Sequence, residues 1–196
     1  NETLADLLKR ADFSQSELYQ VAEVVSQKIN VRKLGIGMSF TIGFDENNTP
    51  VAVKTSQSVK FDYFIFKNSF GTWQGLQAIR PLDTKFVHSA NVIDGTLYEA
   101  ALEANVPLST LDNFMRVMGF SVDFQRQLRQ GDAFEVVYEK ITDRITDETL
   151  SVGKVHYVGM VLSSKQVGYY RHENNDGTIG WYDKAGKSAV RTLMRT

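Results

Sequence analysis

Cysteine is absent from the 196 residues, which removes disulfides, thiol nucleophiles and zinc sites built on thiolate ligands. Histidine occurs three times. His88, His156 and His172 stand singly, with no pair one residue or one helical turn apart, the spacing that seeds a hydrolytic zinc site. Proline also occurs only three times, and two of the three mark boundaries: Pro107 stops a helix, and Pro81 lies where the chain divides. Charge of one sign is not in excess. Lys plus Arg is 22 and Asp plus Glu is 23, a net charge of −1, which argues against a general binder of nucleic acid or of anionic membrane. No run nears the roughly 18 consecutive apolar residues of a membrane span. There is no G-x-S-x-G and no phosphate-cradling glycine loop, and the carboxylates are spread singly, so no hydrolytic or nucleotide chemistry can be assigned.

What is present is a repeat. The segment from Thr3, TLADLLKRADFSQSELYQVAEVV, aligns without gaps on the segment from Thr96, TLYEAALEANVPLSTLDNFMRVM. Thr3 falls on Thr96, Ala11 on Ala104, Leu18 on Leu111 and Val24 on Val117. After one inserted residue the match resumes, with Leu34, Gly37, Phe40, Ile42 and Phe44 on Leu128, Gly131, Phe134, Val136 and Tyr138. Shared amphipathic periodicity alone does not reproduce this order of caps, small residues and glycine.

Each copy reads as two short helices and a strand. Ser14 with Glu17, Thr96 with Glu99 and, more weakly, Ser109 with Asp112 have capping-box spacing. Leu4, Leu7, Leu8 and Ala11 form one helical stripe, and Leu18, Val21, Ala22 and Val25 the next. Met38 to Phe44 alternates as a strand. Further strands are expected over 51–60, 61–66, 154–162, 166–172 and 178–182, separated by turn residues such as Asn174-Asn175-Asp176-Gly177. The expected class is α+β in two related halves, each a helix pair followed by antiparallel strands. The halves are read as residues 1–80 and 81–196, the second with the larger sheet.

Three features invite chemical readings. Val59 to Phe66 is aromatic enough for an RNA-stacking strand, but lacks the glycines and flanking basic residues of such a motif, and is read as a strand packed on both faces. His156 lies in apolar alternation with Val158, Met160 and Leu162, and is read as a core or edge histidine. Arg126 and Arg129 fit the binding of an anionic partner, and a solvated turn between helix and strand explains them as well.

The opening NETLADLLKRADFSQSELYQVAEVV, with Leu34 and Gly37, resembles the LysM-like, opacity-associated protein A-type module at the front of LytM (lysostaphin-like) murein DD-endopeptidases. IDGTLYEAALEANVP, SVDFQRQLRQGDAFEVVYE and GWYDKAGKSAVRTLMRT resemble the next domain of the same proteins, which include the Csd-type cell-shape proteins. In that family an H-x-x-x-D pair and an H-x-H pair hold zinc in a C-terminal peptidase domain, and neither pair occurs here. The resemblance therefore implies a fragment without catalytic or metal residues: a targeting or regulatory region of a periplasmic Gram-negative enzyme whose zinc lies in the missing domain. The implied partners are peptidoglycan, the enzyme's own catalytic domain and a regulatory envelope protein. LysM-type recognition would place glycan at the turns holding Thr3, Asn30 and Arg32, although the first strand of such a module is missing before Thr3. The alternatives are a stand-alone envelope scaffold that binds glycan or activates a separate hydrolase, and a small-molecule or lipid binder using the second sheet.

Overall fold

The computed structural model describes residues 3–28, 38–163 and 165–190. The fold is α+β. The chain forms two compact units, Asn1–Leu82 and Asp83–Thr196, and the described residues of each enclose a separate apolar core.

The first unit opens with α1 (Leu4–Arg10) and α2 (Gln15–Lys28). Thr3 caps α1 reciprocally with Asp6, and Ser14 and Glu17 exchange the same pair of bonds at the start of α2. Four strands follow, β1 (Phe40–Phe44), β2 (Pro50–Ser58), β3 (Phe61–Lys67) and β4 (Trp73–Ile79), as an antiparallel meander in chain order. Period-two alternation sends Val53, Tyr63, Ile65 and Trp73 to one face, where they bury Leu8, Phe13, Leu18, Val21 and Val25 of the helices. Phe64 and Phe66 point to the other face and are only half-buried, so the aromatic strand is packed fully on one side rather than on both.

The second unit places β5 (Leu82–Val92) before its helices, α3 (Leu97–Glu103) and α4 (Leu108–Met118). Then come β6 (Ala133–Asp143), β7 (Thr149–Leu162), β8 (Lys165–Glu173) and β9 (Ile179–Tyr182), giving a five-stranded sheet in order β5-β6-β7-β8-β9. At the junction of β5 with β6, Ile93 donates its N–H to the Asp132 carbonyl at 2.7 Å and accepts from Gly131 at 2.9 Å. Gly131 has φ +90°, the left-handed conformation that its position before the strand anticipates. The core joins Leu111, Phe114 and Met118 of α4 to Phe134, Val136, Tyr138, Val158 and Met160 of the sheet.

The repeat holds in the helix pair, whereas in the strands Phe44 is exposed where its match Tyr138 is fully buried. Matched residues are buried in both copies: Leu8 and Ala101, Phe13 and Val106, Leu18 and Leu111, Val21 and Phe114, Val25 and Met118. The turn between the helices uses a left-handed residue at the same place, Asp12 with φ 60° and Asn105 with φ 54°. Asp and Asn tolerate that conformation better than other non-glycine residues. The second copy departs from expectation at α4. Pro107 occupies the N-cap without a side-chain hydrogen bond, and Ser109 and Asp112 lie inside the helix, so their spacing forms no capping box. Strands β4 and β5 carry too much polar sequence, as in Gln74, Gln77, Thr84 and Lys85, to stand out by periodicity.

Candidate functional site

The helices cover one face of the second sheet, and its other face is open. On β6, Phe134, Val136 and Tyr138 are buried, so Glu135 and Glu139 alternate outward. On β7 the alternation is interrupted. Val137 pairs with Tyr157 but Tyr138 pairs with Val155, leaving His156 as the extra residue of a bulge. Val155 and Val158 both stay in the core, and His156 and Tyr157 both emerge on the open face. The bulge thus overturns the expectation that His156 shares a face with Val158 and Met160.

Each residue brought out by the bulge meets a glutamate of β6. The Tyr157 hydroxyl donates to Glu135 Oε1 at 2.8 Å, and His156 Nε2 lies 2.7 Å from Glu139 Oε1. Burial, reinforced by the Glu135 charge, pushes the Tyr157 phenol well above its ordinary range, so it remains a neutral donor. The Lys154 N–H holds Glu139 below the usual carboxylate range, aided by His156 and opposed by burial. His88 of β5 adds a contact to Glu135 at 3.3 Å, and Phe86 packs edge-on to His156 with centroids 5.1 Å apart.

Tyrosine rings lie down on this face because glycines make room for them. A Cβ added at Gly159 would fall 2.5 Å from the Tyr157 hydroxyl, and one at Gly168 would fall 3.2 Å from its ring. Gly180 leaves the same space for the Tyr182 ring. Tyr157 in turn meets Tyr170, its cross-strand partner, at 4.8 Å between centroids with planes tilted by 43°.

These rings floor a cleft of about 240 Å³ whose rim carries Gln166, Asp183 and Lys184. A second recess of about 460 Å³ adjoins it, lined by Tyr170, His172, Asn174 and Tyr182, with Tyr170 and Asp183 common to both. The rim is built rather than floppy. Asp183 Oδ1 accepts from the N–H groups of Ala185 and Lys187, both at 2.9 Å, and Ala189 donates to the Trp181 carbonyl at 2.8 Å. Chemically the site offers aromatic faces, an amide, a carboxylate and an ammonium: a surface for holding a polar ligand.

Among the described residues no three His, Asp or Glu converge as a metal cluster, so the donors present do not fit a catalytic zinc. Thr3 caps α1, its hydroxyl donating to Asp6 Oδ2 at 2.6 Å and accepting from the Asp6 N–H at 3.2 Å. Asn30 and Arg32 lie outside the described residues. The tyrosine cleft went unread in the sequence, although Gly159 and Gly168 inside strands were a visible sign of close approach by another group.

The described fold is a pair of α+β units that solved bacterial structures share. No family model matches the chain. Over the whole chain it is 21% identical to peptidoglycan DD-endopeptidase ShyC of Vibrio cholerae, and 20% identical over 99% of its length to peptidoglycan DD-endopeptidase ShyA of the same organism. In both cases it spans 44% of the relative. Among solved structures, a zinc-containing peptidase from Vibrio cholerae matches with a TM-score of 0.63 at 18% identity, over 97% of this chain and 57% of that one. Helicobacter pylori Csd3 matches with a TM-score of 0.67 at 18% identity, over 96% of this chain and 50% of the other.

Proposed function

We propose that the chain is the non-catalytic region of a zinc murein endopeptidase acting on peptidoglycan in the periplasm of a Gram-negative bacterium. The observation that carries this is the match along the entire chain to slightly under half of two DD-endopeptidases. In this reading the zinc-bearing peptidase domain lies outside these residues. The region directs the enzyme to the wall, or restrains it by contacting its own catalytic domain or a regulatory envelope protein. Its first unit is the LysM-like module, with Thr3, Asn30 and Arg32 as the residues nearest a glycan; the domains divide at about residue 80. A stand-alone envelope scaffold or activator is the competing reading.

Co-sedimentation with purified sacculi tests the wall-directed role, and deletion of residues 1–196 from the parent tests the regulatory one. The reading expects retention on sacculi without release of muropeptides, and altered activity or location of the truncated parent. Zinc-dependent cleavage by this chain alone would overturn it. A parent gene without H-x-x-x-D and H-x-H pairs downstream would favour the scaffold.

A further inference from the structure

We infer that the cleft between Tyr157, Tyr170 and the Asp183–Ala185 turn is a carbohydrate subsite that takes one N-acetylated pyranose ring, with the adjoining recess taking the next ring along the strand. The inference rests on the wall-directed reading above for the identity of its glycan, and on the geometry of the second unit for the site itself.

Size comes first. Pockets for drug-sized ligands and cofactors run from about 300 to 1,000 Å³. A cleft of 240 Å³ holds a single ring, and the neighbouring recess of 460 Å³ shares Tyr170 and Asp183 with it. Two adjoining cavities with a common wall suit consecutive units of a chain molecule.

Chemistry narrows the choice. The face of an aromatic ring is electron-rich and attracts the weakly positive C–H groups on the flat side of a pyranose. Tyr157 is laid flat over Gly159 and Gly168, and Tyr170 stays nearly half exposed, at 45%. The sugar's rim of hydroxyls requires planar donors and acceptors. Gln166 offers an amide that can exchange bonds with an acetamido group, and Asp183 has an oxygen, Oδ2, with no hydrogen bond among the described residues. Lys184 on the rim supplies a donor.

Other ligand classes fit less well. A phosphate or other anion in the first cleft would meet the Asp183 carboxylate beside Lys184, and Arg171 lines only the adjoining recess. An extended peptide joins a sheet at an unpaired edge, whereas this cleft lies on its face. A lipid chain needs a deeper apolar channel than two tyrosine rings and a polar rim provide. The floor is fixed before ligand arrives, because Glu135 holds Tyr157 and the Asp183 side chain ties its own turn. A neutral polyol loses least by meeting a site already in place.

The test titrates isotope-labelled residues 1–196 with N-acetylchitotetraose, with N-acetylglucosamine and with a free stem tetrapeptide, reading amide shifts by NMR. Saturable shifts at Gly168, Tyr170, Lys184 and Ala185 are expected with the tetrasaccharide, at least tenfold tighter than with the monosaccharide. Tyr170→Ala should weaken binding tenfold or more, and Gln166→Ala several-fold, with the remaining spectrum unchanged. Absence of shifts at these amides at 10 mM tetrasaccharide, or shifts there with the tetrapeptide instead, overturns the subsite. Retention on sacculi that Tyr170→Ala and Gln166→Ala leave intact also overturns it, while leaving the wall-directed reading standing. Loss of retention in native protein whose cleft still binds tetrasaccharide removes that reading and keeps the subsite.

Discussion

Lys67 Nζ lies 2.5 Å from Glu17 Oε1, so a side chain on β3 closes onto the same carboxylate that caps α2 through Ser14. One glutamate thereby joins a local helix signal to a contact made fifty residues further along the chain. The Lys67 and Ser14 hydrogen bonds, against the opposing effect of burial, bring its carboxyl down to about 2.

That depression has a definite pH consequence. A carboxylate whose folded pKa lies below its ordinary 4.5 adds stability above that value and loses it as pH falls toward about 2. Glu17→Gln should therefore destabilise the first unit by about 1–2 kcal/mol at neutral pH, as expected for a cap with a charged partner. Urea unfolding of the variant and the native chain should converge as pH drops from 5 to 2. A gap that stays constant over that range would show the charge to be irrelevant.

Asp62 is the second electrostatic anchor of the first unit. Its side chain and that of Arg80 are 11% and 12% exposed. Burial resists ionisation of Asp62, yet Arg80, Ser56 and Lys54 together hold its carboxyl below the ordinary range. Asp62→Asn leaves the Arg80 guanidinium facing a neutral amide, and breaking a buried pair from one side typically costs about 3 kcal/mol or more. Chemical denaturation should show a loss of that order; a loss under 1 kcal/mol would mean that the pair is solvated in solution.

Tyr138 presents the opposite case. Its ring is fully buried in the second core, and among the described residues its hydroxyl has no hydrogen-bond partner. A buried unsatisfied hydroxyl costs free energy that phenylalanine avoids at nearly the same volume. Tyr138→Phe should raise the thermal midpoint of the second unit or leave it unchanged. A loss above about 1 kcal/mol would reveal a partner, such as a bound water, for the hydroxyl.

Gly168 should not tolerate even a methyl group without consequence. Its added Cβ would sit 2.7 Å from the Tyr157 hydroxyl, forcing the ring away from Glu135. Gly168→Ala is expected to cost about 1–2 kcal/mol, in the range of overpacking changes. The same variant should move the Tyr157 ring signals in NMR, whereas Gly177→Ala, at a turn with open space around it, should leave them in place.

The local features of this protein were legible in its sequence. The caps at Ser14 and Thr96, the helix stripes and the glycine turns all rest on interactions within a few residues, which one-dimensional spacing records directly. The repeat was legible for the same reason, since matched caps and matched core positions survive as matched letters. The open-face site was not. Its alternation is broken by the bulge at His156, which only the pairing of β6 with β7 creates. Its rings rest on Gly159, Gly168 and Gly180 from different strands, and its rim comes from the turn after β9. His88 and Glu135 likewise meet only because β5 lies beside β6 in the sheet. Strand order and register are long-range outcomes of packing α3 and α4 on one face, and those decide which side chains share the other.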